Sequence, residues 1–284
     1  MQKHIDPKDV PQWIASSTTP EDASELQAWA IAMIGRIERG DLNIGILSLD
    51  EARQVPLALR KAFDLGLADA GIHLADWLVR NPTDDADIPA AEQVLLEVIA
   101  RGKAEACQTL MRYRWFYRRD TCTDEEAQQA FALLNTWCIQ HQDDSDALYL
   151  LALVTCHGFG TAENPARSAQ MLNKAAVMGN ADAMFELFIY HAQGIGVEVN
   201  DNKAVICLRR AAEAGQLRAM YNLGAFHASG RYVEQDMLLS VAWYKRAAEA
   251  GHPKAAETLA IMYEEGEGVE QDEAMAQKYW DMIA

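Results

Sequence analysis

The sequence repeats itself every 36 residues, and this period restricts the fold more than any other feature. From Ala147, steps of 36 land on Ala183, Ala219 and Ala255. Leu151, Leu187, Leu223 and Leu259 keep the same spacing, as do Gly158, Gly194, Gly230 and Gly266. Asn164, Asn200, Asp236 and Asp272 follow. Then come the paired alanines Ala175–Ala176, Ala211–Ala212 and Ala247–Ala248, and the glycines Gly179, Gly215 and Gly251. No insertion breaks the register, which chance does not produce.

Each unit reads as two helices. Ala219, Leu223 and Phe226 form an i, i+4, i+7 stripe, the mark of one buried helix face. Gly230 suits a left-handed C-cap after it. Asp236 suits the N-cap of a second helix. The same position at Asn164 is followed by Pro165, where the missing N–H of a first helical residue costs nothing. The second helix carries Trp243, Tyr244, Ala247 and Ala248 and stops at Gly251. Its paired alanines are small because a bulky residue would overpack a close helix contact.

The pattern AxxxLGxxxxxGxxVxxD…WYxxAAxxG, read from Ala219 to Gly251, resembles the Sel1-like repeat, a relative of the tetratricopeptide repeat. Four regular units carry it, 147–182, 183–218, 219–254 and 255–284, about half the chain. The resemblance implies an all-α fold, a right-handed α-solenoid of about six to seven stacked antiparallel helix pairs.

The N-terminal half departs from the pattern. Ala70 and Ala106 are again 36 apart, with Leu74 and Leu110, and Gly66 and Gly102, in step. From Ala106 to Ala147 the spacing is 41, which places a five-residue insertion near RRDTCTDEE. A unit near Ala30 has Ile34 at the leucine position. Residues 26–146 therefore read as divergent repeats of one continuous solenoid. Residues 1–25 read as an irregular lead or cap, with prolines at 7, 11 and 20 limiting helix length. The last unit stops on its second helix without a polar cap, which leaves a homodimer through that end as one way of covering it.

Composition narrows the function. There are 42 acidic and 25 basic residues, a net charge of −17. That argues against nucleic acid, which needs a basic face, and permits a basic protein partner. An apolar half excludes a disordered chain. MQKHIDPKDVPQWIASS has no apolar core of a secretory signal, and the longest apolar run, ALYLLALVTC, is too short to span a membrane. Cys107, Cys122, Cys138, Cys156 and Cys207 make no CxxC pair, so thiols of a reducing cytoplasm are the expectation.

No motif of catalysis, phosphate binding or metal binding is present; GxG at Gly158 and Gly194 belongs to the repeat turn. No cofactor is expected. His191 and His227 occupy equivalent positions and could approach each other, but a metal would need further ligands. Cys156 and His157, adjacent on a helix, point apart and do not form a nucleophile and base. In the segment Arg112-Tyr113-Arg114-Trp115-Phe116-Tyr117-Arg118-Arg119, four arginines interleave four aromatics. It reads as a base-stacking platform, as a protein hot spot, or as a helix end with rings in the core and arginines in water. The hot-spot candidates are Arg112, Trp115, Arg118 and Arg119. Acidic runs at Asp84-Asp85-Asp87, at Asp143-Asp144-Asp146 and from Glu264 to Glu273 fall at helix ends. Within the last, Glu264, Glu265 and Glu267 are candidates for meeting a basic surface.

In helix-pair solenoids of this family the first helices line the concave face. By that resemblance, the positions two, three and six after each repeat alanine are the less buried ones. The candidates for binding a partner protein are Tyr149, Leu153, Phe185, Glu186, Ile189, Tyr221 and Asn222, with Tyr149, Phe185 and Tyr221 as an aromatic row. Packing between repeats is the competing role for that row. The family includes bacterial adaptors and immunity proteins. The resemblance therefore implies a non-enzymatic protein-binding module, an inhibitor of a basic toxin or an adaptor of a secretion component. The alternative is a cell-wall or β-lactam-related hydrolase, as in the cysteine-rich branch of the family.

Overall fold

A computed structural model of the chain describes residues 10–38, 49–81 and 87–283. Among the described residues there are fifteen α-helices and no strand. The chain divides into two compact units, one ending at Trp137 and the other beginning at Cys138.

The first unit holds α1 (Val10–Ser16), α2 (Pro20–Glu38), α3 (Leu49–Asp64), α4 (Ala68–Arg80), α5 (Asp87–Ala100), α6 (Ala106–Tyr117) and most of α7 (Asp124–Gln140). The repeat alanines Ala30, Ala70 and Ala106 are all buried in it, as are Leu74 and Leu110. Residues 10–25 are not an irregular lead. Val10 and Ile14 reach the core from α1, and Ala23 from α2. Pro11 and Pro20 lie in the first turns of their helices, where a missing N–H breaks no hydrogen bond. Pro7, Asp84 and Asp85 lie outside the described residues.

The five extra residues do not sit in the RRDTCTDEE loop. α7 begins 18 residues after Ala106, as α9 does after Ala147. Instead α7 runs 17 residues where the regular second helices run 13, and the turn after it is one residue longer. Thr123 and Glu126 explain the early start. The Glu126 N–H donates to Thr123 Oγ1 at 3.2 Å, and the Thr123 N–H donates to Glu126 Oε2 at 2.9 Å. This reciprocal capping box makes the acidic stretch the first turn of a helix.

The second unit is a stack of four helix pairs: α8 (Ser145–Cys156) with α9 (Pro165–Val177), α10 (Ala181–Gln193) with α11 (Asp201–Glu213), α12 (Leu217–Ser229) with α13 (Met237–Glu249), and α14 (Pro253–Glu265) with α15 (Glu273–Asp281). Each second helix also packs on the next first helix, which builds one core from α8 to α15. Caps fix the boundaries. Asn164, Asn200 and Asp236 accept from the N–H three residues on, and Gly230 ends α12 in the left-handed region. The paired alanines are at most 2% exposed. Gly224 keeps a similar approach open, since a Cβ there would lie 2.9 Å from the Tyr244 ring. The packing is an α-solenoid held by small residues at its contacts.

Candidate functional site

Consecutive first helices in the second unit meet side chain to side chain. Phe188 of α10 and Phe226 of α12 lie 5.9 Å apart, and Arg218 of α12 covers the Phe185 ring at 4.6 Å. Tyr221 of α12 stacks on His252, the cap of α14, at 4.8 Å. Outward from these contacts the face is half open. Tyr149, Leu153, Glu186, Ile189, Tyr221, Asn222 and Ala225 are all half-buried, and Ile261 is exposed.

The aromatic row does not stand on this face as a row. Phe185 is 2% exposed, packed tilted against Phe188 and roofed by Arg218. Leu150, at the position three after its alanine, is also buried. Tyr149 packs against the core from a half-buried position, and Tyr221 is shared between His252 and Tyr244. Packing between repeats takes Phe185 entirely and part of the other two rings.

Glu186 is the most electrostatically constrained residue of the face. Burial holds its carboxyl above the ordinary carboxylate range. The Arg218 guanidinium acts in the opposite direction without cancelling the burial, and Asp182 adds to the rise. The equivalent positions hold Leu150, Asn222 and Thr258, so this desolvated acid belongs to one repeat alone.

Residues 145–180, 181–216, 217–252 and 253–284 match the Sel1 repeat, each span starting two residues before its repeat alanine. The chain is a Sel1 repeat protein. No curated protein matches the sequence. Among solved structures it is similar to a Sel1 repeat protein from Oxalobacter formigenes, with 22% identity and a TM-score of 0.60, over 79% of this chain and 93% of that one. It is also similar to c5321, described as a protective antigen of uropathogenic Escherichia coli displaying an SLR fold. There the identity is 22% and the TM-score 0.57, over 80% of this chain. This chain spans 48% of the length of c5321. A third likeness is to the immunity protein Pa5087 from Pseudomonas aeruginosa, with 20% identity and a TM-score of 0.51, over 77% of this chain and 81% of that one.

Outside the Sel1 repeats, the arginine-rich end of α6 leaves two of its arginines in water and draws the other two inward. Arg112 and Arg119 are exposed, but Arg114 is 2% exposed and Arg118 is half-buried. Trp115 is buried, with the Arg119 guanidinium 4.2 Å above its ring. Arg114 Nε and Arg118 Nη1 both donate to Glu92 Oε2 of α5, at 3.4 and 2.7 Å, and Arg118 Nη2 reaches Glu126 Oε2 at 3.3 Å. Burial still holds the Glu92 carboxyl above the ordinary range, against the pull of Arg118 and Arg114. No spacing rule in the sequence pairs Glu92 with arginines more than 20 residues away, so this buried cluster emerges only from the packing of α5 on α6.

The Sel1 repeats also absorb part of the acidic runs. Asp144 caps α8, accepting from the Ala147 N–H at 2.9 Å, and Asp272 caps α15. Glu264 accepts from Trp280 Nε1 at 2.8 Å, while Glu265 and Glu267 are exposed. His227 Nδ1 faces the Glu234 carbonyl at 3.3 Å, and the buried His191 Nδ1 has no partner. Among the described residues no group of three or more His, Cys, Asp or Glu is placed to hold a metal ion. Cys156 is buried and His157 bonds the Leu153 carbonyl, so the two do not face each other. Among the described residues no helix is long and apolar enough to cross a membrane.

Proposed function

We propose that this Sel1 repeat protein is a protein-binding scaffold, and that it presents the first-helix face of its regular repeats to a partner protein. The observation that carries the reading is the run of half-buried side chains along consecutive first helices, with Leu153, Ile189 and Ala225 at the matching position and Tyr149, Glu186, Tyr221 and Asn222 beside them. Half-buried apolar and amphipathic groups on a rigid surface gain most from being covered by a partner.

The role that fits best is an immunity or inhibitor protein for a basic toxin, or an adaptor for a secretion component. Two lines support it. The charge of −17 favours a basic partner and speeds its encounter. Two similar structures, Pa5087 and PA5088 of Pseudomonas aeruginosa, are described as immunity proteins.

Affinity purification with the full chain, compared with Tyr149→Ala, Ile189→Arg and Tyr221→Ala, tests the face. Loss of the captured partner with an unchanged melting temperature supports it. Capture that survives all three substitutions places the contact elsewhere. A toxin encoded by an adjacent gene, inhibited by the purified chain, would establish the immunity role.

A further inference from the structure

Each regular hairpin is an internal control for the others, because equivalent positions face equivalent surroundings. Ten residues after the repeat alanine stand His157, Gln193, Ser229 and Glu265, all exposed and polar. Eleven after it stand the turn glycines Gly158, Gly194, Gly230 and Gly266. In α6 the same two positions hold Phe116 and Tyr117, which are 62% and 57% exposed. Phe116 does not enter the core, and Tyr117 meets Tyr113 only edge-on at 6.0 Å. Core packing therefore does not account for two large rings where the repeat otherwise places polar residues and glycine.

The charges at this helix end are divided just as unevenly. Arg114 and Arg118 are engaged by Glu92 and Glu126. Arg112, one turn before Phe116, and Arg119, just past the helix end, are exposed. Among the described residues neither has a carboxylate within ion-pair distance, although Asp120, Asp124 and Glu125 lie close in sequence. Exposed arginines without an ion pair also occur among the described residues at Arg167 and Arg209, so what sets this helix end apart is the pair of exposed rings beside Arg112 and Arg119. The helix dipole draws cations to a C-terminus but gives no reason for the rings. Exposed aromatic and arginine side chains clustered together are the usual anchors of protein interfaces.

We propose that the C-terminal end of α6 docks an apolar, carboxylate-bearing segment of a partner protein. Its carboxylates pair with Arg112 and Arg119, and its apolar side chains cover Phe116 and Tyr117. Charge complementarity selects this occupant. The continuous phosphate charge of a nucleic acid would meet only Arg112 and Arg119 as unpaired cations at this helix end, with Asp120, Asp124 and Glu125 close by, too few to offset repulsion. The site rests on α6 alone and stands whether or not the first-helix face of the regular repeats binds a partner.

The test titrates the full chain into a labelled short peptide alternating glutamate with leucine, into its lysine–leucine counterpart, and into oligothymidine. Saturable, salt-sensitive binding of the acidic peptide alone is expected. Arg112→Glu combined with Arg119→Glu weakens it at least about tenfold, and Phe116→Ser acts in the same direction. Helical circular dichroism stays as in the parent and the melting temperature falls only slightly, because all three side chains are exposed and Arg119→Glu gives up its contact with the Trp115 ring. Tyr149→Ala and Tyr221→Ala leave this binding unchanged, which separates it from the face of the regular repeats. The proposal is overturned if the acidic peptide does not bind saturably. It is also overturned if the charge-reversed variant binds equally well, or if oligothymidine binds through these residues and the peptide does not.

Discussion

Asn180 Nδ2 donates to Asp146 Oδ1 at 2.7 Å, which ties the cap of α10 to the first turn of α8. The same hand-over recurs one repeat later, where Gln216 Nε2 donates to Asp182 Oδ1 at 3.3 Å. It recurs in the first unit too, where Lys103 Nζ meets Asp69 Oδ1 at 2.9 Å. In each case the residue three before a repeat alanine reaches the residue one before the previous alanine. The divergent half thus keeps the junction of the regular half while changing its chemistry from amide to ammonium.

Asn180 is the best buried of these links, and its Oδ1 also accepts from the Ala183 N–H at 2.7 Å. Asn180→Ala loses the cap and the link together and should cost about 1–3 kcal/mol in urea unfolding. Asn180→Asp keeps the cap acceptor but sets two carboxylates side by side. Its penalty should therefore be largest near neutral pH and shrink as acid protonates one of them. An Asn180→Asp variant as stable as the parent at neutral pH would show that the link contributes nothing.

His252 fills the capping position that Asp144, Asn180 and Gln216 fill elsewhere, with Nδ1 accepting from the Ala255 N–H at 3.2 Å. Burial lowers its pKa below the ordinary 6.5. On acidification the unfolded chain takes up this proton first. The stabilisation is complete above 6.5 and is lost as pH falls toward the folded-state value. Protonation would also remove the acceptor the cap depends on. His252→Asn should therefore match the parent at about pH 7.5 and lose less melting temperature on going to about pH 5.5. Equal losses in both proteins would refute the titration.

The regular half was legible because its signals are local. The caps at Asn164 and Asp236, the stop at Gly230 and the buried alanine pairs all follow from residues within one unit. The start of α7 was legible in principle, since Thr123 and Glu126 have capping-box spacing, but the surrounding polar residues read as a loop. Phe185 and Arg114 were not legible. What covers Phe185 is Arg218 from the next repeat, and what draws Arg114 inward is Glu92 from the preceding helix. A helical period places a side chain on a face, but it does not say which neighbour's long side chain will close over it.

The Glu92–Arg114 pair is nearly solvent-free, with side chains 5% and 2% exposed. Removing Glu92 leaves Arg114 buried without a counter-charge, whereas removing Arg114 leaves Glu92 its closer partner, Arg118 at 2.7 Å. Glu92→Leu alone should therefore cost about 3–5 kcal/mol, and Arg114→Met clearly less. The double variant should recover most of that loss, because no uncompensated charge remains at the centre and Arg118 keeps Glu126. A double-mutant cycle by chemical denaturation measures the coupling. Additive losses would show that the two residues contribute through packing alone.

Gly196 and Tyr232 occupy equivalent turn positions with φ of 64° and 63°, but their surroundings set different demands. A Cβ on Gly196 would lie 2.3 Å from the Pro165 carbonyl carbon, so Gly196→Ala should cost about 2–4 kcal/mol by forcing the backbone apart. Tyr232 is the one non-glycine residue with positive φ among the described residues. It is offset by its ring, 4.9 Å from Phe226 and beneath the Arg231 guanidinium at 4.8 Å. Tyr232→Ala loses those contacts and keeps the left-handed strain, whereas Tyr232→Gly loses the contacts and the strain together. Tyr232→Gly should therefore unfold at a higher urea concentration than Tyr232→Ala, by about 1 kcal/mol in stability. The reverse order would mean that the backbone at this turn is unstrained and that the glycines of the other repeats answer to crowding rather than to φ.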